Sequence, residues 1–329
     1  MTLPITLRSS FPASALLRLR STEREISYDY ALNADPMVAC RVCGSREIGL
    51  LQKSLCGSRF ALLTCRSCRL EFLDPLPAPD DLRRIYSAEY YRSWGMAEGG
   101  NPAVDAMKKL TFAGHLRRLR NHIGAGDLLD IGTATGLLLE VAREQGFEPY
   151  GIEISDYAAA LAAAKFGAGR IHHGTLQTAP FGDGRFSAIT MTDLIEHVAD
   201  PLDTLMRVRQ LLRPDGIVLI TTPNTASLTR LAMGAKWTHY KVEHLYYLNP
   251  RSMAMLAERA GFQVLSIRPA SKAITLSYLR DQFRVYRHPV LTPAAEMLAA
   301  IFRPLRHAPL RLRTGESLIL LRKARDTPQ

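Results

Sequence analysis

The chain has 329 residues, 47% of them hydrophobic and 22% charged, a globular composition that excludes a disordered, collagen-like or coiled-coil chain. No apolar run approaches the roughly 20 residues that a membrane-spanning helix needs, so any membrane contact would be peripheral. The net charge of +11 is uneven: Lys+Arg against Asp+Glu is 18 to 12 over residues 1–126, 12 to 15 over 127–267 and 12 to 4 over 268–329. A chain built to wrap nucleic acid would carry its positive excess on the core rather than at the two ends.

Residues 1–36 open with Arg8, Arg18, Arg20 and several serines, and their apolar stretches are broken by Arg and Pro. That composition fits a disordered extension or an organelle-targeting segment, and not a secretory signal. Residues 37–75 hold all five cysteines. Four of them form Cys40-x2-Cys43-x21-Cys65-x2-Cys68, the spacing of a tetrahedral four-cysteine zinc site. Four protein ligands leave no open position, so the predicted zinc is structural. Thiolate ligands require a reducing compartment, which points to the cytoplasm. Cys56, between the pairs, is expected to be a small core residue. Residues 76–126 read as a helical linker or lid. A Pro-rich connection from Pro75 leads to a helix capped by Asp80 or Asp81. A break at Gly95, Gly99, Gly100 and Pro102 precedes an amphipathic helix with Met107, Leu110, Leu116 and Leu119 on its apolar face.

From 127 to 267 short apolar strands alternate with helices: strands at 127–132, 149–154, 170–173, 186–192, 216–222 and 262–267, helices at 137–145, 157–166, 202–212 and 250–260. This spacing predicts a parallel sheet covered on both faces, with a ligand at the carboxyl ends of the strands where strand order reverses. A basic insertion, 268–316, separates this core from a last strand at 317–323 and a tail at 324–329. It carries Arg268, Lys272, Arg280, Arg284, Arg287, Arg303, Arg306, Arg311 and Arg313, and is expected on the surface with a helix at 293–302. Ala294, Ala295, Met297, Leu298, Ile301 and Phe302 can share an apolar face there, beside Arg303 and Arg306. Such a face suits an anionic membrane surface, or equally a helical lid or dimer contact.

The first motif is Asp130-Ile131-Gly132-Thr133-Ala134-Thr135-Gly136, on a strand-to-helix turn. Gly132 permits the tight turn and Gly136 a ligand's approach to the helix start, while Ala134 replaces the middle glycine of a dinucleotide fingerprint. Glu153 ends the next strand, 21 residues after Gly132, where a carboxylate can accept both hydroxyls of a ribose. Together these predict a nucleoside-type cofactor without deciding between NAD and S-adenosylmethionine.

The stretch from Phe186 to Asn224 decides. Its Asp193-Leu194-Ile195-Glu196-His197-Val198-Ala199-Asp200-Pro201 turn and its Leu211-Leu212-Arg213-Pro214-Asp215-Gly216 approach to a strand resemble the class I S-adenosylmethionine-dependent methyltransferases. The branch is that of the ubiquinone-biosynthesis O-methyltransferases. His244-Leu245-Tyr246-Tyr247-Leu248-Asn249-Pro250 and Ala260-Gly261-Phe262 match the same branch. Asp215 stands where the family has a glycine. The resemblance implies a Rossmann-like α/β fold, its parallel sheet covered by helices on both faces and ending in an antiparallel last strand, preceded by a small zinc ribbon. It implies that Asp130, Gly132, Thr133 and Gly136 line the methionine end of the cofactor, that Glu153 holds the ribose and Ile154 flanks the adenine. Thr175 and Leu176 would edge the adenine ring, and Asp193 and Leu194 would face the sulfonium. No acidic residue stands near Thr175 to meet the adenine amino group. The ribbon, with Leu70-Glu71-Phe72-Leu73-Asp74-Pro75, Tyr86 and Glu89-Tyr90-Tyr91, resembles the prefix of bacterial polysaccharide and secondary-metabolite methyltransferases.

Acid–base candidates are His244 and His197, since an imidazole suits proton removal near neutral pH. Asp193, Glu196 and His197 also fall where some ubiquinone-branch enzymes hold a divalent metal, so Mg2+ is a further expectation. The expected activity is methyl transfer to a small acceptor, a hydroxyl of a sugar or other metabolite, free or lipid-linked, by an enzyme peripheral to the membrane or free of it. An RNA or protein methyltransferase and a non-catalytic cofactor-binding scaffold remain the alternatives. Against the former, the strand ending at Asp193 lacks the Asn-Pro-Pro-aromatic signature of base-amino methylation.

Overall fold

The computed structural model describes residues 39–77, 101–285 and 290–324. The expected helix after Asp80 or Asp81, the tyrosines at 86, 90 and 91, and the N-terminal extension lie outside the described residues. Three strands come first: β1 (Ile48–Gln52), β2 (Ala61–Cys65) and β3 (Glu71–Asp74). After α1 (Pro102–Arg120) follow β4 (Asp127–Ile131), α2 (Leu137–Glu144), β5 (Glu148–Glu153), α3 (Asp156–Phe166), β6 (Ile171–His173) and β7 (Phe186–Thr192). Next come α4 (Pro201–Leu211), β8 (Leu212–Pro223), α5 (Leu228–Met233), β9 (Tyr246–Tyr247), α6 (Pro250–Arg259) and β10 (Phe262–Pro269). The insertion contributes β11 (Lys272–Ile274), α7 (Leu276–Val285), α8 (Leu291–Ile301) and β12 (Leu310–Leu312), and β13 (Glu316–Lys323) closes the chain's main sheet.

The helix starts are written into the sequence. Asn101, Asp200 and Asn249 each accept two backbone N–H groups of the first turn, and each precedes a proline at the first helical position. A side-chain acceptor there satisfies donors that have no partner within the helix, and proline lacks the N–H that would be orphaned.

The main sheet runs β6-β5-β4-β7-β8-β13-β10. Strands β6 to β8 are mutually parallel, and β13 lies antiparallel to both β8 and β10. Alternate side chains of each strand enter opposite layers, as a period of two requires. Leu128, Ala188, Ile217 and Leu219 join Leu116 of α1, Leu139 of α2 and Ala159 of α3 in one buried cluster. Leu129, Ile131, Ile189, Met191, Val218 and Ile220 join Leu205 and Val208 of α4 and Met253 and Leu256 of α6 in another. Apolar residues on both faces are what a sheet with helices on each side demands. Strand order reverses between β4 and β7, so a crevice opens at their carboxyl ends.

The cysteine-bearing strands do not stand apart from this body. β9 pairs with β3, Glu71 opposite Tyr247 and Phe72 opposite Tyr246, giving a small sheet β1-β2-β3-β9. Its one face, with Ala61, Leu63, Phe72 and Tyr246, packs into the cluster of α4 and α6. Its other face, with Leu62, Leu73 and Tyr247, is closed by Trp237, Tyr240 and Val242. Asn249 adds a polar clamp, its amide donating to the carbonyls of Cys68 at 3.2 Å and Arg69 at 2.7 Å. Cys56 is no core residue: it sits exposed in a turn at φ +53°, its thiol 3.2 Å from the Tyr240 carbonyl.

Candidate functional site

The glycine turn after β4 is shaped by backbone conformations that side chains resist. Gly132 and Gly136 have φ of +76° and +81°, and Ala134 lies between them at +49°. The N–H groups of Gly132 and Thr133 donate to the Ile152 carbonyl at 2.9 and 3.0 Å, laying the turn against β5. A side chain at Gly136 would meet the Phe166 ring at 2.9 Å, so this glycine also lets α2 pack on α3.

Glu153 ends β5 and is buried. Its two oxygens accept the N–H groups of Ala134 at 2.8 Å and Ser155 at 2.9 Å, tying the glycine turn to the start of α3. Asp130 is 1% exposed and accepts the Thr190 hydroxyl at 2.6 Å. Burial raises its pKa to about 7, against the pull of that hydrogen bond. The Thr133 hydroxyl is buried without a hydrogen-bond partner among the described residues. Ile154 projects outward, 63% exposed, whereas Leu176 is buried beside a turn in which the Thr175 N–H donates to Thr178 Oγ1 at 3.0 Å. Asp130, Gly132, Thr133, Gly136, Glu153, Ile154, Thr175 and Leu176 thus lie along the carboxyl ends of β4, β5 and β6. Two buried carboxyls and a buried hydroxyl around a glycine turn fit a ligand bearing amino-acid and ribose groups.

Asp193 follows β7 at φ +52°, and Leu194 packs over the turn, 3.2 Å from where a Gly132 side chain would begin. The Asp193 carboxylate accepts the Thr221 hydroxyl at 2.8 Å and the Lys272 ammonium at 3.0 Å. Enclosure opposes its ionisation, but Lys272 and Thr221 more than offset this and hold its pKa below the carboxylate range. Lys272 also reaches Glu316 at 2.6 Å. Composition had placed this lysine on a solvated surface; β11 carries it into the crevice instead, anchored by the Ala273 N–H donating to Thr111 Oγ1 of α1 at 2.8 Å. Nothing in the sequence pattern marks it out from the other basic residues of the insertion.

A 3-10 turn at Ile195–His197 sets two further groups together with His244. His197 Nδ1 lies 2.9 Å from the Glu243 carbonyl, so in the neutral ring that nitrogen donates and Nε2 carries the lone pair. Nε2 is 4.0 Å from Glu196 Oε1. The His197 and His244 rings meet edge to face at 4.7 Å, with His244 backed by Tyr247 at 5.8 Å. Burial lowers the His197 pKa to about 4 and takes that of His244 well below its ordinary value, so both are neutral imidazoles. Glu196 is fully buried with neither oxygen hydrogen-bonded among the described residues, and its pKa is raised, first by burial and then by the Asp193 charge.

The divalent metal implied for Asp193, Glu196 and His197 does not fit these residues as Mg2+. Mg2+ demands oxygen ligands in octahedral array, whereas Asp193 is engaged by Thr221 and Lys272. The donors that do converge are Glu196, His197 and His244, one carboxyl and two imidazoles.

The four cysteine sulfurs do fit zinc. They lie within 4.8 Å of one another, with Cys40 and Cys68 at 3.6 Å and Cys43 and Cys65 at 3.5 Å. A tetrahedron with Zn–S bonds of ~2.3 Å has sulfurs about 3.8 Å apart.

A doubly wound sheet with a reversed last strand, a glycine turn at the switch point and an acid ending the next strand define a class I cofactor-binding fold. Residues 105–267 match the family described as a methyltransferase domain, Methyltransf_23, and this stretch is a class I S-adenosylmethionine-dependent methyltransferase domain. A protein of Mycolicibacterium smegmatis named as an S-adenosylmethionine-dependent methyltransferase is 25% identical over 148 residues, 45% of this chain and 56% of its own length. A ubiquinone biosynthesis O-methyltransferase of Aromatoleum aromaticum is 28% identical over 155 residues, 43% of this chain and 65% of its own. The chain therefore spans just over half to two-thirds of the length of these relatives. A solved S-adenosylmethionine-dependent methyltransferase of Archaeoglobus fulgidus is similar at a TM-score of 0.45 and 19% identity, covering 71% of this chain and 100% of that one.

Proposed function

We propose that the protein transfers the methyl group of S-adenosylmethionine to a hydroxyl of a small acceptor, a sugar or other metabolite. When bound, that cofactor supplies an electrophilic methyl carbon on a sulfonium. The observation that carries the reading is the juxtaposition of the glycine turn and Glu153 with Asp193 and the His197–His244 pair across one crevice. Asp130, Gly132 and Thr133 would take the methionine end, Glu153 the ribose, and Ile154, Thr175 and Leu176 the adenine. Asp193 and Leu194 would stand at the sulfonium.

Methyl transfer needs in-line placement of donor and acceptor more than covalent help from the protein. The acceptor oxygen attacks the methyl carbon, the C–S bond breaks with its electron pair going to sulfur, and the hydroxyl proton must leave. A neutral imidazole can take it. His197 is the better placed of the two, because its side chain is 13% exposed and its ring is held by the Nδ1–H bond to the Glu243 carbonyl. His244, 6% exposed between His197 and Tyr247, would back that ring. The relatives named for ubiquinone biosynthesis support oxygen as the methylated atom. Incubation with methyl-labelled S-adenosylmethionine and fractionated extract tests the reading. Label should enter a small-molecule pool, and label in RNA or protein alone would refute it.

The same reading extends to a peripheral membrane contact. Met297, Ile301, Phe302 and Leu305 are exposed on α8 and the turn after it, next to exposed Arg303. The face is not the one expected, since Ala295 turns inward with Ala299 and both are buried. Apolar side chains flanked by arginine suit anionic lipid by charge complementarity. Among the described residues no helix is long and apolar enough to cross a membrane.

A further inference from the structure

The crevice gathers three carboxyl groups, Asp193, Glu196 and Glu316, whose charges act on one another. An arrangement of this kind needs a positive charge at its centre, because uncompensated carboxylates a few ångströms apart repel strongly in an enclosed site. In metal-using sites a divalent ion meets that need. Here the Lys272 ammonium lies 3.0 Å from Asp193 Oδ2 and 2.6 Å from Glu316 Oε1, bridging the end of β7 and the start of β13.

We propose that Lys272 takes the place of a divalent cation between Asp193 and Glu316 at the acceptor end of the crevice, where the lysine binds the acceptor oxygen. The inference rests on the methyl-transfer reading for its chemistry, but the displacement of the metal stands on geometry alone. An ammonium has three N–H donors. Two are directed at Asp193 and Glu316, which leaves the third for a ligand. The side chain is 30% exposed, so a ligand can approach it from the crevice. A hydrogen bond from a fixed positive charge strengthens as negative charge gathers on the acceptor oxygen. The acceptor class this favours is a hydroxyl that ionises readily, such as a phenol or an enol, rather than an ordinary alcohol.

The placement is deliberate in the fold. β11 pairs with β12, Lys272 opposite Leu312, and this two-stranded piece exists only because the insertion separates β10 from β13. The Thr275 N–H meets Met107 Sδ at 3.3 Å, so both ends of β11 are tied to α1. The insertion therefore delivers one cation between the end of β7 and the start of β13.

The test uses the full-length zinc-loaded protein titrated with Mn2+, the unbound ion being followed by its electron paramagnetic resonance. Lys272→Met should bind one equivalent of Mn2+ more than the wild type and Lys272→Arg, because Asp193 and Glu316 are released to a divalent ion. A Lys272→Met protein that is folded by circular dichroism yet binds no more Mn2+ than the wild type would overturn the proposal, as would an equal gain in Lys272→Arg. Should Lys272→Met fail to fold, Lys272→Gln makes the same comparison. Calorimetry with S-adenosylhomocysteine on the same samples separates this outcome from a failure of the methyl-transfer reading, which would appear as absent cofactor binding in the wild type.

Discussion

The Tyr240 hydroxyl donates to Glu71 Oε2 at 2.5 Å, joining a strand of the cysteine-bearing sheet to the segment that carries His239, Lys241 and His244. Arg230 completes the contact, its Nε reaching the same hydroxyl at 2.5 Å. With the β9 pairing and the Asn249 clamp, the cysteine-bearing sheet is joined to the segment that leads through His244.

Zinc loss should therefore travel. Cys65→Ser should abolish the one zinc per chain, and metal binding stabilises such small modules outright. Hydrogen exchange should then rise in residues 237–249 as well as in 39–75, while β4, β5 and α2 stay protected. Exchange confined to 39–75 would show the two parts to be independent.

His244 should make the protein acid-sensitive. Its folded pKa is depressed far below the ordinary 6.5 by burial, then by the neighbouring His197 and Lys241. The unfolded chain binds the proton more readily, so stability is complete above about pH 6.5 and lost as pH falls toward the folded value. Between about pH 7 and about pH 5 this one group costs about 2 kcal/mol. Denaturant unfolding of His244→Asn should show that much less acid destabilisation than the wild type; an unchanged pH dependence would place the neutral imidazole elsewhere.

Asp130 should tune cofactor binding near neutrality. Its folded pKa of about 7 means that it ionises there. A carboxylate attracts the ammonium of S-adenosylhomocysteine more than a neutral acid does, so affinity should rise about tenfold from about pH 6 to about pH 8. Asp130→Asn should bind weakly with a flat profile.

The exposed face of α8 should bind vesicles. Co-sedimentation with anionic lipid should exceed that with neutral lipid and weaken as salt screens the arginine charges. Substituting Met297 and Ile301 by Ser with Arg303 by Glu should remove it. No sedimentation at low salt would assign the face to a lid or a second copy.

The alternation of strands and helices was readable because it is local. Periodicity and the glycine turn each depend on neighbours in sequence. The four cysteines were legible for the same reason, their two-residue spacing being a chemical constraint on its own. What escaped is tertiary. Tyr246 and Tyr247 are only two residues, too few for a strand pattern, and pair with β3 some 170 positions away in the chain, Phe72 opposite Tyr246. Lys272 looked like its basic neighbours because its distinction is the position of Asp193 and Glu316, 79 residues before it and 44 after. At Gly136 a side chain would also meet Phe166, a neighbour that only the packing of α3 brings near.

The central claim is that the crevice at Gly132 and Glu153 holds S-adenosylmethionine, and calorimetry with S-adenosylhomocysteine tests it most directly. The zinc-loaded wild type should bind one equivalent, and Glu153→Ala, shown folded by circular dichroism, should bind at least about tenfold more weakly through loss of the ribose acceptor. No binding by the wild type, or equal affinity in the variant, would contradict the account.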